Sequence, residues 1–272
     1  AAVVTGMVPV ALGSQTAASV IRPAAYGGAI GYVGSRGEFS LRGIQPLAQS
    51  LDSLGLFARR VEDIERLRAL LLLQKPTSTT ALKPLAVSIC RGDAIGECDA
   101  DMQQAMDNLA IRLQAADIVV NPLDSAGRLQ ALVDHHIRLM AGEGPRNLAL
   151  EAAHPEQLSL PLQELMEKGR QQPRQQYLES LQAADQCRDW IWQQCTDVDL
   201  IIAPAAPGAA PAGIERTGAP HMSRPWQAMG LPVISLPLAS SDSGMPLGLQ
   251  LIGRYRDDDR LLAMARWIEA LA

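Results

Sequence analysis

Ser19 and Arg22 are the residues of this chain whose types and spacing could do chemistry. They stand in the run Gly13-Ser14-Gln15-Thr16-Ala17-Ala18-Ser19-Val20-Ile21-Arg22-Pro23-Ala24-Ala25-Tyr26, where a small polar turn follows the apolar stretch Met7 to Leu12. A strand ending in such a turn brings a serine hydroxyl to the sheet edge, with free backbone N–H groups pointing the same way. Those amides can hold charge that develops on a carbonyl oxygen, which is what an acyl-transfer nucleophile needs. A second use fits the same residues: Thr16 or Ser19 can cap a helix, and that is the commoner use of such side chains. The local pattern leaves both open.

The longer match narrows the choice. The run resembles the serine turn of the amidase signature family. The variant followed by Val20-Ile21-Arg22-Pro23-Ala24-Ala25-Tyr26 is similar to the branch containing malonamidase and carboxybiuret hydrolase. The resemblance continues through Gly27 to Gly31, Gly43 to Asp52 and Phe57 to Asp63. It returns at Asp199 to Pro204, at Gly230 to Pro237 and at Pro246 to Gly253. The middle of the chain is only generically alike.

The resemblance implies a serine amidase that needs no metal and no cofactor. Ser19 would attack an amide carbonyl and form an acyl-enzyme. The backbone amides of Thr16, Ala17, Ala18 and Ser19 would hold the oxyanion. Arg22 stands where this branch binds a substrate carboxylate, and a planar guanidinium suits that task with two parallel hydrogen bonds. An ion pair with Glu38 or Asp52 is the structural alternative for Arg22. Ser14 and Gln15 are further candidates to line the same pocket. The substrate implied is a small amide carrying a carboxylate. Family members are often homodimers, which implies one here, and the four cysteines, read as reduced thiols, imply a cytoplasmic protein.

Several departures accompany the match. The family activates its serine through a second serine in a cis peptide and an upstream lysine. The lysines here are Lys75, Lys83 and Lys168, all downstream of Ser19. The chain also starts within what reads as a helix running into Gly6, so the expectation is a single amidase signature domain over residues 1–272 lacking its N-terminal portion. A catalytically degenerate protein with a binding or assembly role is the alternative. Ala18 replaces the usual glycine before the nucleophile; if that position required positive φ, alanine would cost about 1 kcal/mol. Gly28 stands where cysteine is common, and Val33-Gly34-Ser35 replaces a proline-containing segment.

Positioning these residues falls to alternating strands and helices. Met7 to Leu12 reads as a short buried strand delivering the turn, and Val20 to Tyr26 as a short helix after it. The glycines from Gly27 to Gly37 suggest a tightly turning segment. Arg59 to Leu73 is an amphipathic helix with Val61, Ile64, Leu67 and Leu71 on one face. Pro76 to Thr80 reads as a linker. Leu85 to Cys90 and Ile118 to Pro122 are strands, with helices over Asp99 to Ala116 and Ser125 to Met140. Glu143 to Leu160 looks irregular, Pro161 to Gly169 is a short helical piece, and Pro173 to Cys195 a long helix.

Leu200 to Ala203, Pro232 to Leu236 and Leu247 to Ile252 are continuous apolar runs, as in strands buried on both faces. Asp257 to Leu271 closes the chain as a helix. The pattern predicts a layered α/β fold with helices on both sides of the sheet; the family resemblance implies the α/β/α amidase signature fold, whose central sheet is mixed.

Totals exclude other classes. The 272 residues carry a net charge of −5 with no basic block, which argues against a nucleic-acid surface. No apolar run is long enough for a membrane span. Cys90, Cys98, Cys187 and Cys195 lack the spacing of a zinc knuckle and read as reduced thiols. His135 and His136 are adjacent, so on a helix they point about 100° apart and cannot share one metal. His154 and His221 are isolated. Trp226 could touch substrate or pack in the core.

Overall fold

The computed structural model describes residues 1–75 and 80–271. Most of the segment read as a linker therefore lies outside the described residues. Eight strands form one mixed sheet in the order β1-β3-β2-β7-β8-β6-β4-β5. They are β1 (Val10–Gln15), β2 (Ile30–Val33), β3 (Ser53–Ala58), β4 (Ala86–Ile89), β5 (Val119–Pro122), β6 (Leu200–Pro204), β7 (Val233–Ser240) and β8 (Pro246–Ile252). Only β4 pairs in parallel, with β5 and β6; every other pairing is antiparallel.

Side chains alternate across each strand, so the two faces of the sheet support separate cores. Ile201 and Ala203 point into one, with α1 (Ile21–Gly27), α4 (Arg128–Asn147), α6 (Arg174–Gln194) and α7 (Arg224–Met229). Leu200 and Ile202 point into the other, with α2 (Val61–Leu71), α3 (Ala100–Ala115) and α8 (Asp258–Leu271). The remaining helix, α5 (Leu160–Gln171), packs on α4. This is the layered α/β/α arrangement expected from the alternation. β6, β7 and β8 occupy the sheet centre, where a strand is covered on both sides; their apolar runs are continuous for that reason.

Several local expectations change. The strand feeding the serine turn is Val10–Gln15 rather than Met7 to Leu12, and it is an edge strand with Met7 and Leu12 exposed. Its polar end, Gly13 to Gln15, is held in register by Ser53 to Gly55 of β3. Residues 1–8 make successive turns, closed by Thr5 N–H to Ala1 O at 3.0 Å and Met7 N–H to Ala2 O at 3.0 Å, and do not continue as a helix. The glycine-rich stretch contains strand β2. In α2, Val61 and Ile64 are buried while Leu71, at the far end of the expected apolar face, is exposed. Helix α4 extends through Gly142, Gly144 and Pro145 to Asn147. Packing on α5 and α6 overrides residues that usually end a helix.

Candidate functional site

Three glycines make the seat on which the serine turn rests. Val20, directly after Ser19, is fully buried. A Cβ on Gly55 would lie 2.6 Å from a Val20 methyl, and one on Gly31 would lie 3.1 Å from the Val20 carbonyl and 2.5 Å from the Ala24 Cβ. Gly13, paired with Gly55 across β1 and β3, faces the Phe57 ring at 2.9 Å in the same way. The sheet lacks side chains at Gly31 and Gly55, so the Val20 methyls and the Ala24 Cβ rest directly on strand backbone. Helix α1 then ends at Gly28 in the left-handed conformation, φ 70°, which favours glycine there.

Gln15 fixes the entry to α1. Its Oε1 accepts from Val20 N–H at 2.9 Å and Ile21 N–H at 3.0 Å, while its Nε2 donates to Gln227 Oε1 at 2.7 Å. Gln227, on α7, donates in turn to the carbonyls of Gln15 and Leu51. Thr16 Oγ1 donates to Asp52 Oδ1 at 2.6 Å, and the other oxygen of Asp52 accepts from Leu47 and Ala48 N–H at 2.8 and 2.9 Å. His136, wholly buried on α4, places Nε2 2.9 Å from the Thr16 carbonyl. Burial first, then the charges of Arg224 and Arg36, lower its pKa to about 3, against the opposing effect of the Thr16 bond. The imidazole is therefore neutral at pH 7, and Nε2–H donates to Thr16 O.

These contacts leave a group of unused donors. Val20 and Ile21 give their N–H groups to Gln15, but among the described residues no N–H of Thr16, Ala17, Ala18 or Ser19 donates a hydrogen bond. The Ser19 hydroxyl is likewise unengaged and its residue is exposed. Ala18 is not among the residues with positive φ, so the alanine where glycine was expected carries no left-handed strain.

Arg22 projects from the first turn of α1. It donates from Nη1 to Gly218 O at 2.6 Å and from Nη2 to Thr217 Oγ1 at 3.3 Å. Neither acid considered as its partner meets it. Glu38 pairs with Arg68 at 2.6 Å and Arg256 at 3.7 Å, and Asp52 is occupied by the serine turn. Ser14 is exposed on β1, opposite Leu54, and makes no hydrogen bond through its side chain among the described residues. Gln15 is buried with its whole carboxamide committed inside the protein. Trp226 is fully buried in the core and not open to a ligand.

Ser35 donates to Asp258 through N–H at 2.9 Å and through Oγ at 2.6 Å, joined by Tyr32 at 2.6 Å. This buried network braces the segment where a proline is missing. His135 faces Ser180 at 3.1 Å, so the two adjacent histidines diverge.

Asp52, His136 and Gln227 are the positioning residues that reading the sequence missed. None carries a local signal, since their contacts to the turn span 36, 120 and 212 residues of chain. Among the described residues no cluster of three or more His, Cys, Asp or Glu could hold a metal, and no helix is long and apolar enough to cross a membrane.

The fold is shared with known proteins. The family model described as Amidase matches residues 1–262. The AtzE component of the 1-carboxybiuret hydrolase of Pseudomonas sp. (strain ADP) is 31% identical over 284 residues, covering 93% of this chain and 60% of the relative. One component of the glutamyl-tRNA(Gln) amidotransferase of Picosynechococcus sp. is 27% identical over 320 residues, covering 99% of this chain and 66% of the relative. A crystal structure of an amidase is similar with TM-score 0.86 and 26% identity, over 99% of this chain and 64% of its own. The chain thus spans less than two thirds of the length of these relatives.

Proposed function

This chain belongs to the amidase family, and on that premise we propose that it carries the nucleophile, oxyanion site and acid anchor of a serine amidase for small carboxylate-bearing amides. The observation that carries the reading is the row of four undonated N–H groups ending at an exposed serine hydroxyl. Ser19 Oγ attacks the amide carbon and loses its proton to a base. The carbonyl oxygen becomes an oxyanion facing the amides of the turn, each such donor contributing of order 3 kcal/mol to the transition state. The C–N bond breaks as the base returns its proton to the leaving nitrogen. Water then releases the acid from the ester and regenerates Ser19. Arg22 holds the substrate carboxylate, fixing the amide near Ser19.

We assign the base to none of Lys75, Lys83 and Lys168. Lys83 lies over the Trp267 ring at 6.0 Å, on the α8 side of the sheet, and Lys168 sits on α5. Neither these two nor the exposed Lys75 makes a hydrogen bond with the serine turn among the described residues. The family resemblance points to a lysine acting through a second serine.

A fluorophosphonate probe applied to the intact gene product tests the nucleophile. Labelling at Ser19 that vanishes in Ser19→Ala is expected; labelling that persists in that variant, or none at all, refutes the assignment. For Arg22, hydrolysis of acidic amides by Arg22→Ala should fall at least tenfold more than that of neutral ones.

A further inference from the structure

Arg224 makes no side-chain hydrogen bond or ion pair among the described residues, and its Nη1 is buried without a partner. It begins α7, and Gln227 three positions on binds the carbonyl of Gln15. Residues three apart share a helix face, so Arg224 stands on the face that α7 turns toward the serine turn. Arg22 approaches the same region from α1, tied to the Thr217–Gly218 loop that precedes α7. That loop packs tightly on α1, since a Cβ on Gly218 would lie 2.2 Å from the Tyr26 hydroxyl oxygen.

Arg22 thus follows Ser19 by one helical turn, Arg224 acts on the His136 that holds the Thr16 carbonyl, and among the described residues neither guanidinium pairs with a carboxylate. The partners of Arg22 are a carbonyl and a hydroxyl, both neutral. Asp134 acts on Arg224 only through space. His136, which also feels the charge of Arg224, is neutral and supplies no counter-charge. Burial pushes both guanidinium pKa values down, and the charge of Arg22 pushes that of Arg224 further. Two part-buried cations that repel one another, neither of them paired with a carboxylate among the described residues, are unfavourable unless anions arrive from outside.

We propose that Arg22 and Arg224 form a seat for two anionic groups beside Ser19, so that the substrate is an amide bearing two carboxylates, one held by each arginine. This rests on the Ser19 reading and narrows its substrate from an acidic amide to a dicarboxylic one.

The test reads binding without turnover, so it stands apart from whether Ser19 is catalytic. Titration calorimetry with succinate and acetate compares a dicarboxylate with a monocarboxylate at fixed ionic strength. The wild-type chain should bind succinate at least tenfold more tightly. Arg224→Gln should weaken succinate by about ten- to a hundredfold and leave acetate within about twofold. Arg22→Gln should weaken both. Arg224→Lys, which keeps the charge, should recover part of the succinate preference. Equal affinities for the two acids in the wild type, binding of neither, or equal weakening of both by Arg224→Gln would each overturn the proposal. The wild-type comparison decides even if Arg224→Gln does not fold.

Discussion

Replacing His136 by glutamine should flatten the acid limb of this chain's stability. The imidazole is fully buried, and its folded-state pKa is lowered from 6.5 to about 3, chiefly by burial. The unfolded chain therefore takes up a proton near pH 6.5, while the folded chain refuses it until about pH 3. Between those values the unfolded state binds more protons, so stability rises with pH. The contribution is fully present above pH 6.5 and is lost as pH falls toward 3. Each unit is worth about 1.4 kcal/mol. Integrated between pH 6.5 and 4.5, His136 alone removes about 2 kcal/mol.

Glutamine can still donate to Thr16 O but does not titrate, so His136→Gln should lose about 2 kcal/mol less over the same interval. Other acid-sensitive groups, such as Asp199 with its lowered pKa, are common to both proteins and cancel in the difference. Urea unfolding at pH 6.5, 5.5 and 4.5, followed by tryptophan fluorescence, measures it. Parallel curves for the two proteins, or a wild type that gains on the variant as pH falls, would refute the account of a neutral buried imidazole.

Gly31→Ala puts a methyl 2.5 Å from the Ala24 Cβ and against the Val20 carbonyl. A cost of about 1–3 kcal/mol in thermal unfolding is expected, with weaker probe labelling of Ser19 in the protein that remains folded. Asp52→Ala strips acceptors from Thr16 Oγ1 and from two buried-side N–H groups; denaturant unfolding should report a loss of about 2–4 kcal/mol.

The sequence made the centre of the fold legible and its margins less so. The apolar runs around Leu200, Ile234 and Leu249 could be read because central strands are covered on both faces and carry little else. The amidase signature fold that the motifs suggested is the fold observed. Strands β2 and β3 escaped notice because Gly31 and Gly55, which the seat for Val20 requires, dilute their strand pattern. Helix α4 was read too short because Gly144 and Pro145 look like a stop, and only its tertiary neighbours keep it helical. The serine turn was legible as a motif. Its supports were not, because Asp52, His136 and Gln227 reach it through folding alone.

Gln15 draws a line across the backbone of the turn that time-resolved exchange with solvent would make visible. The amide protons of Val20 and Ile21 are locked to a buried oxygen, so they are released only when the structure opens around the Val20 seat. Among the described residues the protons of Thr16 to Ser19 meet no acceptor, so those of Thr16, Ala17 and Ser19, outside the core, exchange ahead of the locked pair. One peptide bond, between Ser19 and Val20, separates the slow clock from the fast. Rigidity and availability, which the role proposed for this turn needs at once, are divided between its two sides.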